Sequence, residues 1–297
     1  MEKLCLEVQD LTKRYDASEF SLDHLNFKVP YGSVMGLIGE NGAGKTTTLK
    51  LILNLMRRDA GTIKLFGLDN IRDEGAIKQQ IGVVFDENHF HELFSPADIA
   101  KILRSLYQKW DDNLFQQYLR RFQLPADKPI KTYSRGMKVK LSIASALAHH
   151  PKLLLLDEPT SGLDPLMQNR FIDLILEEKK KGTTIFMSSH LFEEVERTCE
   201  RTAIIRRGQI AAVEDMEGLK KKRSRDYIIT LDSKKSADAL QLPGYTITGR
   251  EGASVTVAVK EDIPGLLSLL SSCPVRDMQI HTQSLEEIFM HYYGSEV

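Results

Sequence analysis

The first third of the chain alternates apolar and polar positions with the two-residue period that is typical of β-strands. Leu4, Leu6 and Val8 occupy every second position, and the segment 62–66 alternates in the same way. A short apolar run at 81–85 indicates a further strand. We therefore predict that the chain begins with a region rich in strands.

Two amphipathic helices are predicted in the middle of the chain, where apolar residues recur every three or four positions. Ser95 is a suitable N-cap for the first helix, and Pro96 suits its first turn. Asp111 or Asp112 would cap the second helix, which should end before Pro125. The predicted apolar faces comprise Ile99, Ile102, Leu103, Leu106 and Tyr107 in the first helix and Leu114, Phe115, Tyr118, Leu119 and Phe122 in the second.

Strand signals resume after this helical segment, at 153–156 and 184–187. Each is about four apolar-rich residues long, and helical segments separate them, which is typical of a largely parallel, buried sheet. We therefore predict an α/β core that a helical subdomain, at about residues 87–150, interrupts.

The composition changes at 220–225, a basic run that reads KKKRSR and follows the last strand-like segment of the core at 209–213. We favour a solvated linker for this run; the alternative is a contact with anionic lipid. The predicted domains are therefore 1–219 and 226–297, joined by the linker. Strands predicted at 226–231, 245–248, 254–259 and 276–281, with helices near 236–240, 263–270 and 284–293, are compatible with a ferredoxin-like α+β domain and a tail helix.

Charge and cysteine content exclude several function classes. The 297 residues include 40 Lys and Arg against 41 Asp and Glu, so no general positive field favours nucleic acid, and we expect no nucleic-acid partner. Cys5, Cys199 and Cys273 form no CxxC pair, which argues against a zinc site or a disulfide framework and fits a reducing cytoplasm. We find no signal peptide and no apolar stretch that could span a membrane, so any membrane role would need another chain.

The segment 39–46 reads GENGAGKT and fits the phosphate-loop pattern GxxxxGK[ST]. It lies between a strand-like run at 34–38 and a helical run at 47–54, which is the context that the motif requires. Backbone N–H groups of such a loop point at phosphate oxygens. Lys45 would reach the β- and γ-phosphates, Thr46 would ligate Mg²⁺, and Thr47 would donate to the α-phosphate. The predicted nucleotide-binding residues are Gly39, Asn41, Gly42, Ala43, Gly44, Lys45, Thr46 and Thr47.

A second candidate site lies where the leucines of 153–156 precede Asp157 and Glu158. Ligands of parallel sheets bind at the carboxyl ends of the strands. Asp157 would hold Mg²⁺ directly or through water, and Glu158 would orient and polarise an attacking water. An apolar strand that ends in two acids is a weak signal alone, but it becomes specific beside a phosphate loop.

Further motifs complete an ordered set that resembles the ATP-binding cassette ATPases over about residues 1–215. They are Tyr133-Ser134-Arg135-Gly136-Met137, Pro159-Thr160-Ser161-Gly162-Leu163-Asp164-Pro165, and a histidine after the strand 184–187. The resemblance implies a P-loop NTPase fold, in which antiparallel N-terminal strands accompany a mostly parallel core sheet. It also implies ATP as cofactor and a head-to-tail dimer, in which Ser134 and Gly136 of one protomer contact the γ-phosphate held by the other.

The same resemblance assigns roles to three more residues. His190 would hydrogen-bond the γ-phosphate, Tyr15 would stack on adenine, and Asp164 would belong to a turn that communicates between the two sites. The alternative for Tyr15 is ordinary surface packing, and Asp164 could simply cap a helix before Pro165.

Three positions depart from the family pattern, one after the strand at 81–85 and two in the signature. Asp86 stands where the family usually has a glutamine that touches Mg²⁺; a carboxylate could still ligate the ion, but it cannot donate a hydrogen bond when ionised. Arg135 and Met137 stand where glycine and glutamine are common. Because Ser134 and Gly136 supply the phosphate donors, we expect the signature to remain functional.

The C-terminal region and its segment 284–289 resemble those of drug, peptide or lipid exporter ATPases. We therefore expect an ATP-hydrolysing transporter subunit, peripheral at the cytoplasmic face of the membrane, that powers a separate membrane-spanning subunit. It should pair with a second nucleotide-binding domain, in either a homodimer or a heterodimer. Leu93, Phe94 and the helix after Pro96 fall where the family meets that subunit, although an ordinary core explains them equally well. The alternative function is a soluble regulatory ATPase of the same type that is not coupled to transport.

Overall fold

The computed structural model describes residues 3–15, 20–86, 90–222, 225–259, 262–282, 284 and 286–288. The chain divides into two compact units, Met1–Met216 and Glu217–Val297. None of the helices within the described residues is long and apolar enough to span a membrane.

The first unit contains ten strands and most of the helices of the described chain. In chain order, its elements are β1 (Leu4–Arg14), β2 (Ser21–Pro30), β3 (Val34–Ile38), α1 (Lys45–Ile52), β4 (Ala60–Leu65), β5 (Leu68–Asp69), α2 (Glu74–Lys78), β6 (Ile81–Val84), α3 (Pro96–Leu106), α4 (Asp112–Arg121), a 3₁₀ turn (Ile130–Thr132), α5 (Arg135–Leu147), β7 (Leu153–Asp157), α6 (Pro165–Lys180), β8 (Thr184–Ser189), α7 (Phe192–Thr198), β9 (Arg201–Arg206), β10 (Gln209–Asp215) and, across its boundary, α8 (Met216–Lys222).

These strands form two sheets. The antiparallel sheet has the order β2-β1-β4-β5, and the second has the order β10-β9-β3-β8-β7-β6. In the second sheet all neighbouring strands pair in parallel except β10, which runs antiparallel to β9. Every residue of β3, β7 and β8 is buried, as expected for a sheet that is covered on both faces. The predicted mostly parallel core with antiparallel N-terminal strands is confirmed.

The helical segment contains α3, α4 and α5. Ser95 caps α3 through a capping box with Asp98, and Asp111 caps α4 by accepting from the N–H of Leu114, so both predicted starts are confirmed. The helix predicted here is confirmed as α3. Its apolar residues differ in burial: Ile99 is buried, whereas Ile102 and Leu106 are 41% and 60% exposed.

The second unit begins within α8, and this helix extends into the segment 220–225 that was predicted to be a linker. Residues 220–222 form the last turn of α8, because the lysines there favour helix and no proline interrupts them. Residues 223–224 lie outside the described residues. The following elements are β11 (Arg225–Leu231), α9 (Lys234–Ala239), β12 (Thr246–Glu251), β13 (Ser254–Val259), α10 (Ile263–Leu270) and β14 (Val275–Thr282).

The second unit has a ferredoxin-like topology. Its four strands form an antiparallel sheet in the order β12-β13-β11-β14, with the helices α9 and α10 in the two connections of the β-α-β-β-α-β pattern. Alternate residues of β11 and β13 are buried with Leu266 and Leu270 of α10 in one core. Of the predicted tail helix, residues 286–288 are helical, and its remainder from 289 onward lies outside the described residues.

The parallel strands of the first unit bring the predicted motifs to one edge. The loop at 39–44 follows β3, the two acids lie at the end of β7, His190 follows β8, and Asp86 follows β6. Because β3, β8, β7 and β6 are consecutive neighbours, the carboxyl ends of these four strands line one crevice.

Candidate active site

The loop between β3 and α1 has the geometry of a phosphate-binding loop. Gly42 and Gly44 have positive φ angles of 84° and 112°, which residues with a Cβ rarely adopt. A Cβ at Gly39 would lie 2.4 Å from the carbonyl oxygen of Ile205. The glycines therefore let the backbone turn sharply into α1, whose N-terminal end favours anions.

Lys45 extends back over this loop from the first turn of α1. Only 6% of its side chain is exposed, and its ammonium donates to the carbonyl oxygens of Gly39, at 2.7 Å, and Glu40, at 3.2 Å. A cation held in this position can bind the phosphates of a nucleotide. Of the other predicted loop residues, Asn41, Gly42 and Thr46 are exposed, Thr47 is half-buried, and Ala43 and Gly44 are buried.

Asp157 ends β7 and is almost fully buried. Its carboxylate accepts a hydrogen bond from the hydroxyl of Ser188 at 2.6 Å and another from the hydroxyl of Thr46. Burial raises the pKa of Asp157 above its ordinary value, although these two hydrogen bonds oppose the shift. Thr46 and Asp157, the residues predicted to hold Mg²⁺ here, thus lie in direct contact.

Glu158 lies between Lys45 and His190. Its backbone is in the left-handed region, with φ of 47°, and its N–H is held by the carbonyl and hydroxyl oxygens of Ser188. Oε2 lies 2.5 Å from Nδ1 of His190, and Oε1 lies 3.0 Å from the ammonium of Lys45. Oε1 is buried, and its partner among the described residues is the Lys45 ammonium, so once that ammonium binds a phosphate, Oε1 can accept a proton from a water molecule within hydrogen-bond reach.

Glu194 is a second buried acid beside these residues. It lies on α7, is 5% exposed, and accepts hydrogen bonds from the hydroxyls of Ser189 and Thr160. Burial raises the pKa of Glu194 to about 7. Through these two hydroxyls it ties the segment before His190 to the segment after Glu158.

The signature residues lie at the start of α5. Ser134 is the exposed N-cap of this helix, and its hydroxyl accepts from the N–H of Met137 at 3.3 Å. Gly136 lies in the first turn. Asp164 is the N-cap of α6 and accepts from the N–H of Met167, so the capping alternative for this residue is confirmed, while its role in communication between sites stays a prediction.

Asp86 and Arg135, two of the three departures from the family pattern, form an ion pair. Nη2 of Arg135 lies 2.7 Å from Oδ1 of Asp86, and it donates to the hydroxyl of Ser161 at 3.3 Å. The expected role of Asp86 as an Mg²⁺ ligand is not tested by this contact, but one of its carboxylate oxygens is already engaged by the guanidinium.

Tyr15 belongs to a small aromatic cluster beside the phosphate loop. Its hydroxyl donates to the sulfur of Met56 at 3.2 Å, and its ring is 6.2 Å from that of Phe20. A Cβ at Gly44 would lie 3.1 Å from Phe20, which shows how close the cluster is to the loop. Stacking of Tyr15 on adenine stays a prediction.

Several residues of the site escaped the sequence analysis. Ser188 hydrogen-bonds Asp157 at the end of β7 and the adjacent Glu158. Glu194 is buried near Glu158, and Phe20 lies against the loop. The position of Ser188 at the end of a predicted buried strand was a usable signal, because that edge was already expected to hold the site. Glu194 carried no such signal, since it is one of several acids in a polar helix.

Comparisons with known proteins identify the family. A family model described as ABC transporter matches residues 22–161. The chain is 31% identical to the ABC transporter ATP-binding protein YdbJ of Bacillus subtilis, over 98% of this chain and 96% of that protein. This chain belongs to the ABC transporter family.

A further relative and a solved structure agree with this ABC assignment. The subunit is 30% identical to a fluoroquinolone export ATP-binding protein of Mycobacterium tuberculosis, over 98% of this chain and 94% of that one. Its fold is similar to a solved ATP-binding subunit of an ABC transporter, with a TM-score of 0.67 and 28% identity over 73% of this chain and 92% of the other. The predicted family, fold and ATPase activity are confirmed: the chain is the ATP-binding and ATP-hydrolysing subunit of an ABC transporter.

The residues of this ABC subunit fit both ATP and Mg²⁺. The buried ammonium of Lys45 lies at the loop carbonyls, where a phosphate can replace its contacts. The hydroxyl of Thr46 and the carboxylate of Asp157 are the hard oxygen ligands that Mg²⁺ prefers. Glu158 adds an acceptor whose Oε1 contacts the Lys45 ammonium, a contact that bound phosphate would replace.

Proposed function

We propose that this ATPase powers an exporter by dimerising around ATP, with MgATP bound at the crevice described above. The observation that supports this most directly is the row formed by Lys45, Glu158 and His190. It holds a phosphate-binding cation, a proton acceptor and a second hydrogen-bonding group, with the carboxylate no more than 3.0 Å from either neighbour. Such an arrangement suits hydrolysis at a γ-phosphate.

Each residue of the row has a distinct part in the proposed reaction. Lys45 binds the β- and γ-phosphates, and Glu158 orients the attacking water and accepts its proton at Oε1. His190 holds Oε2 of Glu158 and hydrogen-bonds the γ-phosphate. Thr46 and Asp157 hold Mg²⁺, which neutralises negative charge on the phosphates when bound. Asp86 is a third candidate ligand.

The second part of the proposal is a head-to-tail dimer of two copies of this chain. Ser134 and the N–H of Gly136 lie at the N-terminal end of α5, where the helix favours an anion. Ser134 is exposed, so it is available to a nucleotide held by another copy. Tyr15 contacts the adenine in its own copy, and the turn before Asp164 links the two sites.

An apolar surface on the helical segment supports a protein partner. Leu93, Phe94, Ile102 and Leu106 are 65%, 36%, 41% and 60% exposed. They lie on α3 and immediately before it, although the same helix buries Ile99. Exposed apolar side chains gathered on one helix are typical of an interaction site. We propose that a separate membrane-spanning subunit covers them and holds this chain at the cytoplasmic face of the membrane.

Export, rather than uptake, is proposed from the relatives. The fluoroquinolone export protein is aligned over 98% of this chain, so the likeness includes the ferredoxin-like unit as well as the ATPase unit. The molecule exported would bind the membrane subunit.

The test is to purify the tagged chain from its native membranes and to identify the membrane protein that accompanies it. We expect one integral membrane subunit to co-purify. We also expect ATP hydrolysis by the complex, reconstituted in vesicles, to drive outward movement of its cargo. ATP hydrolysis by the isolated chain together with failure to retain any membrane protein would favour the regulatory ATPase instead.

A further inference from the structure

Asp86 and Arg135, two of the three departures from the family pattern, carry opposite charges and contact each other across 49 positions of sequence. We propose that Arg135 is a positioning residue: by pairing with Asp86, it holds Ser134 in the orientation that receives the γ-phosphate of the nucleotide bound to a second copy. This inference rests on the proposed dimer.

The guanidinium of Arg135 joins three segments of the first unit. Arg135 is the first residue of α5. Its guanidinium pairs with Asp86 after β6 at 2.7 Å and donates to Ser161 in the turn before α6 at 3.3 Å. Gly162, with φ of 69°, leaves the space that the guanidinium occupies, because a Cβ there would lie 2.7 Å from Nη1. A planar, multidentate cation is suited to such a junction.

Each of the two charges would be unfavourable without the other. Arg135 lies in the first turn of α5, where the positive end of the helix disfavours a cation. Asp86 follows β6, the neighbour of the strand β7 that ends at Asp157, so without Arg135 its carboxylate would add negative charge to an edge that already holds two acids. The ion pair neutralises both charges.

The pair acts on Ser134 because Arg135 is the next residue. Ser134 caps α5, so its hydroxyl moves with the first turn of that helix. Anchoring Arg135 to Asp86 and to Ser161 limits the movement of this turn relative to the end of β6. A donor that is already in place loses less conformational entropy when it binds, so the pair should strengthen the dimer without contacting the nucleotide of its own copy.

A double-mutant cycle tests this coupling. The parent is Glu158→Gln, which is expected to accumulate as the ATP-bound dimer, and the cycle compares Asp86→Asn, Arg135→Gln and the double substitution in that background. We measure the dimer dissociation constant at saturating MgATP by sedimentation. An exposed pair is worth about 1.4- to five-fold, and each dimer contains two pairs, so each single change should weaken the dimer about two- to 25-fold. The double change should weaken it no further.

Controls separate positioning from folding and from nucleotide binding. Arg121→Gln removes an ion pair of similar exposure, with Glu177, and should leave the dimer unchanged. The MgATP affinity of the Arg135→Gln monomer and its thermal unfolding should match the parent. Arg135→Lys keeps the positive charge but loses the planar guanidinium, so its dimer affinity should lie between those of the parent and Arg135→Gln.

Two results would overturn the inference alone: single variants that dimerise like the parent, or losses that add in the double variant. A parent that binds MgATP but stays monomeric would instead contradict the proposed dimer, and the inference would fall with it. The two failures are therefore distinguishable from one set of measurements.

Discussion

The ammonium of Lys45 lies 3.0 Å from Oε1 of Glu158, so the residue that binds phosphates also neutralises the residue proposed to activate water. The phosphates of a nucleotide compete with Glu158 for this cation, because charge-assisted hydrogen bonds to phosphate are strong. We therefore expect nucleotide binding to draw Lys45 toward the phosphates and to release Oε1 as an acceptor for water.

Lys45→Ala should abolish measurable nucleotide binding. The substitution removes the buried cation that would contact two phosphates, and each charge-assisted hydrogen bond is worth about 1.5–3 kcal/mol. A loss of at least about 150-fold in ATP affinity is expected in calorimetric titrations. Lys50→Ala, at an exposed position in the last turn of the same helix, is the matched control and should bind normally. Retention of wild-type affinity by Lys45→Ala would remove Lys45 from the phosphate site.

Glu158→Gln should bind ATP but stop turnover. The amide keeps the shape of the side chain but cannot accept the proton of water, so kcat should fall at least about 100-fold. ATP should then accumulate in a dimer that elutes early in size-exclusion chromatography. Glu177→Gln, which changes an exposed glutamate of α6, should hydrolyse ATP at the normal rate. Near-normal hydrolysis by Glu158→Gln would contradict the assignment of Glu158 as the base.

Features that depend on neighbouring residues were predictable from the sequence. The strand predicted at 34–38 coincides with Val34–Ile38, and Ser95 caps α3 as its spacing to the apolar positions indicated. The acids Asp157 and Glu158 lie beside the phosphate loop because both motifs end buried strands of one parallel sheet. Here the local pattern and the sheet geometry lead to the same site.

Features that depend on distant residues were not predictable. Asp86 and Arg135 read separately as two departures from a family pattern, because nothing in a single sequence shows that a loop and a helix start are adjacent. Whether Ile102 and Leu106 are exposed was left open for a related reason, since the sequence allowed both a contact with a membrane subunit and an ordinary core. Periodicity indicates that a helix has an apolar face, but it does not tell whether the same chain or another protein covers that face.

Glu194 should make the stability of the first unit depend on pH. Burial raises its pKa from an ordinary value of 4.5 to about 7, so the folded state keeps a proton that the unfolded state releases between these values. The stabilisation is complete below about pH 4.5 and is lost as the pH rises toward about 7. The total change is about 3 kcal/mol at most.

The measurement is the free energy of unfolding of wild type and Glu194→Gln, followed from pH 5 to pH 8. The glutamine cannot ionise, so its profile should be flatter, and the variant should gain stability relative to wild type as the pH rises. Glu193→Gln changes the adjacent, 85% exposed side chain and should follow the wild-type profile. Parallel profiles for wild type and Glu194→Gln would show that Glu194 is ionised throughout this range.

The exposed apolar surface before and on α3 should be needed for the membrane partner. Leu93 and Leu106 are 65% and 60% exposed, so replacing them with serine removes contact area with a partner while disturbing little of the fold. We expect Leu93→Ser/Leu106→Ser to lose co-purification with the membrane subunit, because both side chains would be buried in that interface.

Leu55→Ser is the control for this last prediction, because Leu55 is 57% exposed and lies outside α3 and the segment before it. It should retain the partner. MgATP affinity and thermal unfolding of the isolated double variant report whether the loss is specific to the interface. If the double variant co-purifies with the membrane subunit at the wild-type ratio, that subunit must contact this chain elsewhere, and the apolar surface at α3 would not be the docking site.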